Sequence, residues 1–94
     1  MTRPVTPLHQ VKVGAVITPK LFVSNDMIKH LTFARECADV GAGLMPGTAK
    51  LEIVEISPMT LNGNRWLKAA IVGTDPPRVL KLTAQEYMGR FAAV

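Results

Sequence analysis

The sequence predicts an α+β fold: a mostly antiparallel, twisted sheet of about four strands carrying two helices, in the order β-α-β-β-β-α. Three observations predict it. Two apolar runs flank Asn62-Gly63, a dipeptide that tolerates positive φ at both central positions of a type I′ turn, so residues 50–73 read as a β-hairpin. Met27, Leu31, Ala34 and Ala38 recur at helical spacing behind the capping residues Ser24-Asn25-Asp26. Thr83 followed three residues later by Glu86 opens a second helix. A small SH3-like, partly open barrel with an inserted helix is the alternative arrangement of the same elements.

Residues 1–8 hold two prolines and read as an extended arm on a single domain spanning 1–94. In the next segment Val11, Val13, Ala15 and Ile17 alternate with Gln10, Lys12, Gly14 and Val16, the pattern of a half-buried strand over 10–17. Pro19 ends or bends it, and Leu21–Val23 can add a short strand. The first helix is expected to run to about Val40. Phe33, Cys37 and Val40 widen its apolar stripe, Lys29, Thr32, Arg35, Glu36 and Asp39 face solvent, and Gly41 lies just past its end.

A two-residue turn at Asn62-Gly63 sets a definite register: Met59 opposite Trp66, Pro58 opposite Leu67, Ile56 opposite Ala69 and Val54 opposite Ile71. One face then collects Val54, Ile56, Pro58, Leu67, Ala69 and Ile71. The other carries Glu55, Ser57, Lys68 and Ala70, with Ile53, Val72, Met59 and Trp66 toward the ends. Leu51 and Ile53 have the opposite parity to Val54 and Ile56, so either both faces are partly covered or a β-bulge near Ile53-Val54 reconciles them. Residues 73–77 form a turn before a short strand over 78–82. Leu82 and Tyr87 have hydrophobic-staple spacing, and Tyr87, Met88 and Phe91 give the last helix its apolar side. That helix starts near Ala84 and frays before Val94.

Composition narrows the function classes. The 94 residues are 48% hydrophobic but only 5% aromatic, with a mean hydropathy of +0.21. So apolar a small body is expected to turn some of that surface to a protein partner or to a second copy. The net charge of +4 permits an acidic partner but is modest for a dedicated nucleic-acid binder. One cysteine precludes an internal disulfide framework and fits a reducing compartment. The basic, proline-containing start lacks the apolar core of a signal peptide, and no apolar run reaches the ~20 residues of a membrane span. A cytoplasmic protein without membrane attachment is expected.

No reactive constellation emerges. His30 and Cys37 both fall on the apolar side of the first helix, but seven residues separate their backbones by roughly 10 Å; direct proton transfer needs roughly 3 Å. His9, His30 and Cys37 have no zinc-ligand spacing. Glu52 and Glu55 lie on opposite faces of a regular strand and need a bulge to converge. Residues 41–47 are glycine-rich but follow a helix and precede a strand, the reverse of a phosphate loop. His30 or Tyr87 is a conceivable polar anchor for a ligand between sheet and helix. The expectation is a non-enzyme with no catalytic residue, no metal and no cofactor.

The cations are more informative because they segregate. Trp66 lies beside Arg65 and two positions from Lys68 on one strand face. An interaction module, self-associating or gripping a protein partner, would use Met59 and Trp66 as anchors and Arg65 and Lys68 as rim. The alternative is a nucleic-acid-binding accessory protein that stacks a base on Trp66 and holds phosphates with Arg3, Lys12, Lys20, Arg65 and Lys68.

Overall fold

The computed structural model describes residues 3–32, 43–58 and 64–94. The strands are β1 (Arg3–Pro4), β2 (Val16–Pro19), β3 (Val23–Ser24), β4 (Gly43–Leu44), β5 (Leu51–Ile56), β6 (Trp66–Ile71), β7 (Val79–Thr83) and β8 (Phe91–Ala93); the helices are α1 (Asn25–Ile28) and α2 (Ala84–Arg90). Six strands form one antiparallel sheet in the order β1-β8-β2-β5-β6-β7, and β3 pairs with β4 apart from it. The α+β class holds. The sheet exceeds the expected four strands because the arm and the end of the last helix both contribute to it.

The arm is docked. Val5 and Leu8 are buried, and Arg3 and Pro4 pair with Ala93 and Ala92. The last helix does not fray toward Val94. It stops at Arg90, and Phe91–Ala93 runs between β1 and β2, burying Phe91 and Ala92. Two apolar residues gain more from a sheet interior than from an exposed final helical turn.

The strand expected over 10–17 begins only at Val16. Gln10 and Val11 donate to the Pro7 carbonyl in a turn, and Gly14 takes φ +101°, which breaks the alternation and leaves Val13 outside. Pro19 is the last residue of β2, so the strand ends there as expected. Thr18 and Ala92 sit opposite each other and Lys20 N–H donates to Arg90 O, so Pro19 directs its nitrogen away from β8, past the end of the pairing with β5.

Ser24 caps α1, its hydroxyl accepting from Met27 N–H, but the helix closes after Ile28. Residues 29–32 are turns, so the long helix fails at its start; the remainder of its expected span, with Cys37, lies outside the described residues. Ile28 and Leu31 are buried, whereas Met27 and His30, expected on the apolar side, are exposed.

The hairpin register differs from the one set by a two-residue turn. Ile71 faces Leu51 instead of Val54, and Leu67 faces Ile56 instead of Pro58, with an irregularity between Ile53 and Glu55. The displacement is three residues at the base and two near the tip. An odd displacement exchanges faces, so Ile53 is buried and Val54 is exposed, the reverse of the expectation. An even one preserves them, so Ile56 packs against the core. The bulge thus points Leu51, Ile53 and Ile56 inward together. Burying a branched aliphatic side chain stabilises by about 1.5–3 kcal/mol, and Leu51 and Ile53 together outweigh a turn preference. Ser57, expected outside, is buried opposite Trp66, and Pro58, expected inside, is exposed. Met59 and Asn62-Gly63 lie outside the described residues.

On β6 and β7 the inward set is Leu67, Ala69, Ile71, Leu80 and Leu82, which meets Ile17, Leu51, Ile53, Tyr87 and Phe91 in one core. Thr83 and Glu86 form the expected capping box on α2, and Leu82 and Tyr87 are both fully buried. Among the described residues no helix is long and apolar enough to cross a membrane.

Candidate interaction surface

Burial of Leu67, Ala69 and Ile71 turns Trp66, Lys68 and Ala70 to the outer face of β6, all three half-buried. The same alternation on β7 turns out Val79, Lys81 and Thr83. The register sets Trp66 opposite Thr83 and Lys68 opposite Lys81. Like charges directly opposite each other are unfavourable, so this pair needs an account. Lys81 Nζ lies 4.5 Å and Lys68 Nζ 5.7 Å from the Trp66 ring centroid, where the negative π face attracts an ammonium group. Glu55, opposite Lys68 on β5, approaches its Nζ at 3.9 Å. Glu55 is exposed and Lys68 only half-buried, so the contact adds little stability.

The bulge has a chemical consequence. Glu52 sits opposite Ala70 and Glu55 opposite Lys68, so the two acids share the outer face instead of lying on opposite ones. The face is therefore graded: carboxylates on β5, Trp66 and Lys68 at the centre, and Lys81 on β7.

Beside Trp66 lies an open groove of about 480 Å³, bordered by Trp66, Arg65, Asn64, Thr83, Gln85 and Thr32. Glu86 joins two of these bordering residues, Thr83 and Thr32. One carboxylate oxygen accepts from Thr83 N–H at 2.9 Å and the other from Thr32 N–H at 2.8 Å, tying the segment after α1 to the β7–α2 junction. Arg65 crosses the tip end of the hairpin, its Nη2 donating to Ser57 O at 3.0 Å, while the Ser57 hydroxyl accepts from Trp66 N–H at 2.9 Å. Arg65 Nε is buried and has no hydrogen-bond partner among the described residues. The arginine is a wall of the groove more than a mobile rim charge.

Of the residues expected to contact a partner, Arg65, Trp66 and Lys68 come together here, and Met59 lies outside the described residues. The three other cations of the nucleic-acid reading do not join them. Arg3 is on edge strand β1, Lys12 is exposed ahead of β2, and Lys20 directs its Nζ toward Met88 O at 3.4 Å; none lines the Trp66 groove. The sequence reading missed Lys81, although its parity with Val79 and Thr83 was available. Thr32 and Gln85 reach the groove only through the tertiary fold. Among the described residues no cluster of His, Cys, Asp and Glu could hold a metal ion. His30 is exposed in a turn. Tyr87 is fully buried and engaged with the Thr6 carbonyl. No family model, curated protein or solved structure matches this chain.

Proposed function

We propose that this chain is a non-enzymatic interaction module that self-associates through the outer face of β5, β6 and β7, with Trp66 at the centre of the contact. The observation that carries the reading is the half-buried Trp66 ring between Lys68 and Lys81, one strand from Glu52 and Glu55. Such a face is complementary to itself. A two-fold axis near Trp66 lays the acidic β5 side of one copy on the basic β7 side of the other, as an isologous interface requires. A nucleic acid is a poorer fit, because the same two carboxylates repel phosphates.

The scaffold we infer is the SH3-like, partly open barrel. In support, β8 returns to pair with β2, the strand that opens the β2-β5-β6-β7 series, after the helical crossover α2. The long connection between β2 and β5 holds β3, α1 and β4.

Charge reversal tests the contact. Glu52→Lys with Glu55→Lys, and separately Lys68→Glu with Lys81→Glu, should each leave a folded monomer by sedimentation equilibrium. The two variants mixed should associate. A wild-type monomer at high concentration overturns the reading, as does association that ignores both reversals. Binding of single-stranded DNA or RNA that collapses with rising salt would replace it with the nucleic-acid reading.

A further inference from the structure

A second surface lies away from Trp66, where the segment after β2 meets α1 and the end of α2. Leu21 is 77% exposed, Phe22 46%, Met27 41% and Met88 43%. Isolated exposed apolar residues are ordinary; here Leu21, Phe22 and Met27 border one concave groove of about 350 Å³ with Gly89 on its wall. The groove is preorganised. Phe22 packs so closely on Gly43 that a Cβ there would stand 2.9 Å from its Cζ and 2.5 Å from Val23 O. Space remains at Gly89, where a Cβ would meet nothing within 4 Å.

The charged groups around the groove have one sign. Lys20 and Arg90 line it, and among the described residues no acid does. Asp26, beside Met27 in the chain, lies 3.9 Å from Lys29 Nζ. A two-fold contact between copies through this groove would set Lys20 and Arg90 against their own symmetry mates as water leaves, which is costly. A planar lipid surface would touch Leu21 but leave the concavity unfilled.

We propose that this groove docks a peptide segment of a partner protein in which Leu or Phe side chains alternate with Asp or Glu. The apolar side chains enter between Phe22, Met27 and Gly89, and the carboxylates meet Lys20 and Arg90. This contact is independent of the Trp66 face.

The test is selection of a displayed random-peptide library on the whole chain, followed by affinity measurement with the winning synthetic peptides. Recovered peptides are expected to combine Leu or Phe with Asp or Glu. Leu21→Ser and Arg90→Glu should each weaken them at least tenfold, and Trp66→Ala should leave them unchanged. Gly89→Leu separates docking from folding: it fills the groove while replacing a helical glycine, so the protein should melt higher and bind at least tenfold more weakly. The proposal fails if no recovered peptide responds to Leu21→Ser and Arg90→Glu, or if acidic residues are not enriched. It also fails if Leu21-dependent binding is found only with phosphatidylserine vesicles, or only as dimerisation of the chain.

Discussion

The Tyr87 hydroxyl donates to the Thr6 carbonyl at 2.7 Å, across 81 residues of sequence. This bond fastens the arm beneath α2, and the ring that carries it is fully buried. Tyr87→Phe keeps the packing and leaves the Thr6 carbonyl without its donor. The expected cost is about 1–2 kcal/mol in urea unfolding, with faster amide exchange around Val5 and Leu8. An unchanged midpoint would mean that packing of Val5 and Leu8 alone holds the arm.

The same hydroxyl predicts an alkaline limit to stability. Burial raises the Tyr87 pKa above the ordinary tyrosine value of 10.0. The folded protein keeps this proton at pH values where the unfolded chain has released it. The stabilisation is therefore complete below about pH 10 and is lost as pH rises through the raised folded value. Tyr87 is the sole tyrosine, so tyrosinate absorbance should appear together with unfolding in wild type. Tyr87→Phe should lack this component of the pH dependence, while lysine titration affects both proteins.

Glu86 holds two backbone donors on different elements, Thr83 N–H and Thr32 N–H. Glu86→Ala removes half of a capping box and a tertiary tie, with an expected loss of about 2 kcal/mol. Thr83→Ala, which affects the cap alone, should lose about half as much. Equal losses would show that the contact with Thr32 carries no energy.

Gly43 takes φ +136° with Val23 O and the Phe22 ring against it. Gly43→Ala meets both a disfavoured backbone angle and a closed space, so at least 2 kcal/mol of destabilisation is expected. Thermal unfolding measures it. A Tm within a degree of wild type would mean that β3 and β4 separate at no cost.

Trp66→Ala should leave the unfolding midpoint within about 1 kcal/mol, since the ring stands outside the core, and weaken self-association at least tenfold. The measurement pairs sedimentation equilibrium with urea unfolding. A large loss of stability with unchanged association would reassign Trp66 to a purely structural role.

How much of this was legible depended on how local each signal was. The capping box at Thr83 and Glu86 and the inward set Leu67, Ala69 and Ile71 follow from spacing within one element, and both are as expected. The hairpin partner was not local. Asn62-Gly63 fixed a register on paper, but burial of Leu51 and Ile53 required another, and a bulge between Ile53 and Glu55 accommodates it. β8 was hidden for the same reason, because Phe91 and Ala92 look like a helix end until β2 supplies a free edge. In the candidate site, the sequence placed Trp66 beside Lys68. The outward parity of Lys81 was readable, but its place beside Trp66 was not, nor was that of Thr32, since cross-strand register and the link through Glu86 bring them in.

The position of β8 also governs when the molecule can form during synthesis. The β5–β6–β7 meander is complete once Thr83 has cleared the ribosome exit, but β2 and β1 wait for Phe91–Ala93 to come between them. Until then Ile17 has a bare strand edge beside it and Val5 lacks its cover, and such half-assembled chains aggregate readily. Closing a loop of more than seventy residues between β2 and β8 is also slow, because its entropy is lost before the contacts repay it. A nascent chain arrested short of residue 91 should be degraded or sequestered by chaperones, whereas one that includes β8 should be able to close the sheet.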